Sequence, residues 1–169
     1  MKYFNGFSLK GEETLFSEYL YHSRYCVSGF SYGAQKALEY TLHTSDRIDR
    51  LILLSPAFFQ SQKPSFIRAQ LRYFESNKEV YVSQFLKNVS YPSTLDISPY
   101  LAIGTVEELE SLLSYEWQRE KIDRLLKRGV TIEVFLGQKD KIVQCDQAQT
   151  FFTHTTNYIL KDAGHLLRN

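Results

Sequence analysis

A serine sits between two glycines in Gly29-Phe30-Ser31-Tyr32-Gly33, the spacing G-x-S-x-G. A turn that lifts a serine hydroxyl clear of its surroundings needs small neighbours, because backbone must approach backbone closely there. A serine hydroxyl is a weak nucleophile alone; it needs a base to take its proton and an acid to orient that base. On strand-to-helix turns of this kind the three residues follow one another as serine, acid and histidine, each beyond the carboxyl end of a strand. Asp140 closes the turn Gly137-Gln138-Lys139-Asp140, and His165 ends Asp162-Ala163-Gly164-His165, so that order is met. The chemistry expected is acyl transfer, with Ser31 attacking a carbonyl, His165 moving the proton and Asp140 fixing the imidazole.

Other residues compete for these roles. Asp162 lies three positions before His165, but to orient it the side chain would have to fold back on its own short connection. His22 precedes the strand leading to Ser31, His43 lies near a helix C-terminus and His154 near another; each reads as structural or surface. The negative charge that develops on an attacked carbonyl needs two backbone N–H donors. Tyr32, directly after the serine, is one, and Phe7, after the first strand, is the natural second. Gly6 beside it has the alternative reading of an ordinary turn residue.

The surrounding elements suit these placements. Lys2 to Phe4 is a short apolar run stopped by Asn5-Gly6, and a helix is expected around Glu12 to Tyr21 from Leu15, Phe16, Tyr19 and Leu20. Tyr25 to Ser28 is strand-like, and Ala34, Ala37, Leu38, Thr41 and Leu42 mark one face of the following helix. Leu51 to Leu54 is wholly apolar, as a strand buried on both faces requires. From about residue 58 to 116 no strand is convincing. Phe66 to Phe74 and Val80 to Leu86 look helical, and Thr105-Val106-Glu107-Glu108 is a capping box opening a helix to about Tyr115. This stretch reads as a helical lid inserted between strands. Alternation then resumes: a helix from Trp117 to Arg128 stopped by Gly129, a half-buried strand Val130 to Leu136, a helix Gln147 to His154 and a strand Asn157 to Leu160. Strand and helix in alternation make an α/β fold, with about five mostly parallel strands in one domain over 1–169.

The balance of 20 basic and 19 acidic residues gives no global field for nucleic acid or an anionic membrane. No apolar stretch approaches a membrane span, and the start lacks the apolar core of a signal peptide. Cys26 and Cys145 stand far apart, so neither a metal site nor a disulfide framework is indicated, and a cytoplasmic location with reduced thiols is expected. No GxGxxG or P-loop pattern follows a strand, which argues against nucleotide binding, and no HExxH-type spacing supports a metal.

The chain resembles the α/β-hydrolase superfamily. More closely, it is similar to the short form of the pimeloyl-[acyl-carrier protein] methyl ester esterases of biotin synthesis. Tyr3 to Phe7 stands where that family often has His-Gly-Trp, and Val27 to Ala34 matches its serine turn. Leu53 to Ala57, Gly137 to Val143 and Ala163 to His165 match later blocks. The elbow, acid and histidine motifs are specific to the superfamily only, and the likeness to the short esterases rests on the overall pattern. Compared with a full α/β-hydrolase, an opening hairpin, one strand-helix unit before the serine strand and a final helix are missing from the pattern. Five parallel strands in sequential order would then carry most helices on one face. The other face is expected to be thinly covered, with a second copy of the chain, in a homodimer, as one candidate cover; Thr131 and Glu133 point that way.

The resemblance implies hydrolysis of a methyl ester at the far end of a pimeloyl chain carried on acyl carrier protein, with Ser31, Asp140 and His165 as triad and Tyr32 and Phe7 as oxyanion donors. No cofactor is implied beyond the phosphopantetheine that arrives as part of the substrate. The lid would form the acyl tunnel, with Phe58, Phe59, Phe66, Leu71, Phe74 and Leu112 as candidate lining or, alternatively, plain lid core. Arg68 and Arg72, one helical turn apart with Lys63 and Lys78 nearby, would dock the acidic carrier protein, the alternative being a solvated helix face. An acyl thioesterase or general carboxylesterase using the same triad remains open, because pocket and lid set the substrate. A non-catalytic hydrolase-like binding protein is the reading from another class; the intact Ser31, Asp140 and His165 argue against it.

Overall fold

The computed structural model describes residues 1–169. The strands are β1 (Lys2–Phe4), β2 (Cys26–Phe30), β3 (Arg50–Leu54), β4 (Thr131–Gly137) and β5 (Thr156–Leu160). The helices are α1 (Tyr32–His43), α2 (Pro64–Ser76), α3 (Lys78–Ser90), α4 (Val106–Ser114), α5 (Arg119–Lys127) and α6 (Cys145–Phe151), with 3-10 turns at Glu12–Phe16 and Ser98–Tyr100. The five strands are parallel throughout and lie in the order β1-β2-β3-β4-β5, the α/β architecture expected from the alternation.

Register explains the sequence pattern. Val27, Leu51 and Ile132 are laterally paired and face one side, where Ala37 and Leu38 of α1, Ile122 and Leu125 of α5 and Phe152 after α6 bury them. Phe30, Ile52 and Leu54 face the other side, against Leu15 and Phe16 of the first 3-10 turn, Val89, Ile97 and the late pair Leu166 and Leu167. Leu51 to Leu54 are 0–1% exposed because both faces are covered. Each such side chain contributes about 1.5–3 kcal/mol relative to an exposed one. The helices α1, α5 and α6 share one face, as sequential order implies, and the opposite face is covered by the first 3-10 turn, the end of α3 around Val89 and connecting segments. That cover is fuller than expected at its centre. Toward β4 and β5 it is thin: Thr131 is exposed, Tyr158 is 42% exposed, and Glu133 is held by Arg50 at 2.7 Å.

The helix expected over Glu12 to Tyr21 is a correction: only the 3-10 turn Glu12–Phe16 forms. Leu15 and Phe16 pack on the sheet, while the Glu12 side chain turns inward to the Gly6 amide and the Tyr19 hydroxyl donates to the Leu167 carbonyl at 3.0 Å. The side chains of this segment are tied to groups outside it, and Tyr19 N–H closes on the Phe16 carbonyl at 2.9 Å, three residues back, in place of an α-helical ladder.

The helices α2 to α4 sit over the carboxyl ends of β1 and β2. Phe74, Tyr81, Leu109 and Leu112 enclose Phe7 and Tyr32 in a third apolar cluster. Leu9 and Leu101 form an antiparallel bridge, Ala102 N–H donates to the Ser8 carbonyl at 2.9 Å, and Gly104 N–H donates to Ser8 Oγ at 3.0 Å. The Thr105–Glu108 capping box expected at the start of α4 is present with both of its hydrogen bonds. No helix is long and apolar enough to cross a membrane.

Candidate active site

Ser31 is the residue between β2 and α1, at φ 53° and ψ −112°, a backbone conformation that side-chain-bearing residues seldom adopt. The strain is held from both sides: Ser31 N–H donates to the Leu54 carbonyl at 2.9 Å and its carbonyl accepts from Ala57 at 3.1 Å. The two glycines have a steric explanation. A Cβ on Gly29 would lie 2.2 Å from the Gly33 carbonyl oxygen, and a Cβ on Gly33 would lie 1.9 Å from that of Phe4. Nothing larger than glycine lets β1, β2 and α1 meet at this point.

Ser31 Oγ lies 2.9 Å from His165 Nε2, and His165 Nδ1 lies 2.6 Å from Asp140 Oδ2. With Nδ1–H donating to the carboxylate, Nε2 is left to accept the serine proton, the tautomer that general-base catalysis requires. Asp140 is itself fixed, since its Oδ1 accepts from the amides of Ile142 at 2.6 Å and Val143 at 3.0 Å. The competitor Asp162 is turned away, 74% exposed and paired with Lys139 at 2.9 Å. His165 is fully buried, with its ring 5.0 Å from that of Phe30. His22 and His43 stay far from this chemistry: His43 Nδ1 lies 2.7 Å from the Glu39 carbonyl, on the surface. His154 is paired with Asp123 at 3.9 Å.

The amides of Tyr32 and Phe7 donate to no group within the fold, so both expected oxyanion donors are unused. Tyr32 opens α1, whose N-terminus adds a favourable field for negative charge at the same place. The Phe7 ring is buried against Phe74 and Phe85, with centroids 5.9 and 5.7 Å away.

By sequence, no protein-family profile and no curated protein matches the chain. Solved structures do match in fold. An esterase from Exiguobacterium antarcticum superposes with a TM-score of 0.66 at 18% identity, over 83% of this chain and 59% of that one. BioG from Haemophilus influenzae gives 0.60 at 8% identity, over 97% of this chain and 87% of that one. An α/β hydrolase fold protein from Burkholderia ambifaria gives 0.56 at 18% identity, over 92% and 64%. The chain has the α/β-hydrolase fold. It is a reduced version of it, five strands in sequence order, and spans about three fifths of the Exiguobacterium esterase.

Within this α/β-hydrolase fold, a cleft of about 290 Å³ opens among α2, α3 and α4 and closes on Ile142, two residues from Asp140. Phe59, Phe66 and Leu112 line it, with Tyr81, Gln70 and Lys141. Three other residues expected in the lining stand elsewhere. Phe58 turns into the helix-side core against Phe151 and Phe152, since consecutive residues after β3 point to opposite sides. Phe74 is fully buried beside Phe7 and Tyr81, and Leu71 packs beneath the same cluster. Arg68 and Arg72 are both exposed on α2 and make no ion pair.

Sequence reasoning missed two contributors. Ser55, buried at φ 40°, donates its hydroxyl to the His165 carbonyl at 2.7 Å, tying the end of β3 to the histidine loop. Glu12, fully buried, accepts the Gly6 N–H at 2.7 Å through Oε1. For Ser55 the available signal was a polar residue closing a wholly apolar strand. Nothing local separates Glu12 from the exposed Glu13.

Proposed function

We propose that the protein is a serine carboxylesterase with Ser31 as nucleophile, His165 as general base and acid, and Asp140 as the group that orients it. The observation that carries this reading is the unbroken hydrogen-bond path from Ser31 Oγ through His165 to Asp140, at 2.9 and 2.6 Å. Ser31 Oγ attacks the ester carbonyl carbon while His165 Nε2 accepts its proton. The oxyanion is held by the N–H groups of Tyr32 and Phe7, and the alcohol leaves with the proton returned by His165. Water, deprotonated by the same nitrogen, then attacks the acyl-serine, frees the carboxylic acid and restores Ser31.

The finer reading is that the ester is the methyl ester of a pimeloyl chain carried by acyl carrier protein, with methanol as leaving group. Its support is the sequence resemblance, with the esterases and BioG among the fold matches and BioG covered over most of its length. The aromatic cleft gives an acyl chain an apolar path toward Ile142, and phosphopantetheine would arrive as part of the substrate. Arg68 and Arg72, exposed and unpaired, are the proposed dock for an acidic carrier protein.

The test is mass spectrometry of methyl-pimeloyl carrier protein incubated with the protein and, separately, with Ser31→Ala. Loss of the methyl group with the parent alone supports both levels of the proposal. Hydrolysis of p-nitrophenyl acetate without cleavage of the carrier-bound ester keeps the esterase and discards the substrate.

A further inference from the structure

We propose that Glu12 is the positioning residue of the oxyanion loop, holding the Phe7 amide in place through its bond to Gly6. The proposal rests on the esterase reading above, since Phe7 N–H matters only if an oxyanion forms beside Ser31.

Glu12 is an acidic side chain with no solvent exposure and no cationic partner. Its Oε1 accepts from Gly6 N–H at 2.7 Å and from the Tyr3 hydroxyl at 3.2 Å, while Oε2 is buried with no partner. A buried polar group of this kind is costly, and a surface glutamate would serve a 3-10 turn equally well. What the inward placement achieves is to anchor the Asn5–Gly6 peptide unit, directly before the Gly6–Phe7 unit that carries the Phe7 N–H. Gly6 N–H is tied to Glu12, and the Gly6 carbonyl accepts from Leu9 N–H at 3.3 Å. Because a trans peptide is planar, fixing the Gly6 carbonyl fixes the opposite direction of Phe7 N–H. Phe7 N–H is left unspent, and its ring is locked by Phe74 and Phe85.

The role needs an acceptor and not a charge. A negative charge beside the oxyanion would oppose the reaction, whereas a neutral carboxyl still accepts through its carbonyl oxygen. Burial pushes the Glu12 carboxyl up, against the lowering effect of its hydrogen bonds, in keeping with that requirement.

The experiment is steady-state hydrolysis of p-nitrophenyl acetate by the full chain and three variants. Glu12→Asp keeps the carboxyl but is one methylene short of Gly6, so kcat is expected to fall by about 100-fold with KM nearly unchanged, as for a misplaced catalytic group. Glu12→Gln keeps reach and acceptor and is expected to return kcat to within about threefold of the parent. Tyr3→Phe removes the other bond to the same oxygen and leaves the rate alone. Equal kcat for the Asp and parent forms overturns the proposal, and so does a Gln form as slow as the Asp form. A parent that hydrolyses nothing overturns the esterase reading first, and the proposal with it.

Discussion

Asp140 grips His165 with one carboxylate oxygen and is gripped through the other. Oδ2 lies 2.6 Å from His165 Nδ1, while Oδ1 takes the amides of Ile142 and Val143 at 2.6 and 3.0 Å. The carboxylate therefore has little freedom to rotate, and the imidazole inherits its orientation. Asp140→Asn turns an amide N–H toward either His165 or the Ile142 and Val143 amides, where the carboxylate accepted from all three. It is expected to lower kcat by about 10³–10⁴-fold, the scale seen when a triad acid becomes its amide. Asp162→Asn, at an exposed ion pair with Lys139, is expected to leave kcat within about twofold, since such pairs contribute little. Ester kinetics on both variants check this.

The serine turn leaves no room for a methyl group. Gly33→Ala would set its Cβ 1.9 Å from the Phe4 carbonyl oxygen, which is backbone and cannot swing away. The variant is expected to lose about 3 kcal/mol or more, with a lower melting temperature. Gly11→Ala meets nothing within 4 Å, and only the positive φ of 76° is unfavourable there, so its loss is expected to be about 1 kcal/mol. Thermal unfolding of the two gives the comparison.

How much of this was legible from sequence follows from how far each signal reaches. The strands, the capping box at Thr105 and the order Ser31, Asp140, His165 rest on residues next to one another or on strand ends, where local pattern suffices. Phe58 and Phe59 are neighbours with equal hydrophobicity, and only tertiary packing sends one to the helix-side core and the other to the cleft. Ser55 acts on a carbonyl 110 positions away. Glu12 looked like one acidic residue in a polar run, and its burial depends on β1 and Gly6 arriving beside it. The helix expected there failed for the same reason: anchors outside the segment decided its shape.

Stability should carry the mark of Glu12. Burial raises its carboxyl pKa in the folded state, so the fold binds the proton more tightly than the unfolded chain does. That contribution is fully present below the ordinary glutamate value of about 4.3 and is lost as pH rises through the folded value. The urea midpoint of the parent is therefore expected to fall, relative to Glu12→Gln, as pH climbs above that point. Parallel profiles for the two proteins would contradict it.

Docking should separate from chemistry at α2. Reversing both Arg68 and Arg72 to Glu is expected to slow cleavage of carrier-bound ester by about tenfold or more at low salt, with p-nitrophenyl acetate hydrolysis unchanged. Raising the salt should shrink the gap, because exposed charges are screened. An equal rate on the carrier-bound ester would remove the carrier dock from α2.

The most direct test of the triad is covalent. A fluorophosphonate probe incubated with the parent is expected to add one phosphonyl group, found by mass spectrometry on the peptide containing Ser31. Ser31→Ala should take up none, and His165→Ala should label at least about 100-fold more slowly, since the serine then lacks its base. A parent that stays unlabelled, or an adduct on any other residue, would contradict Ser31 as the nucleophile.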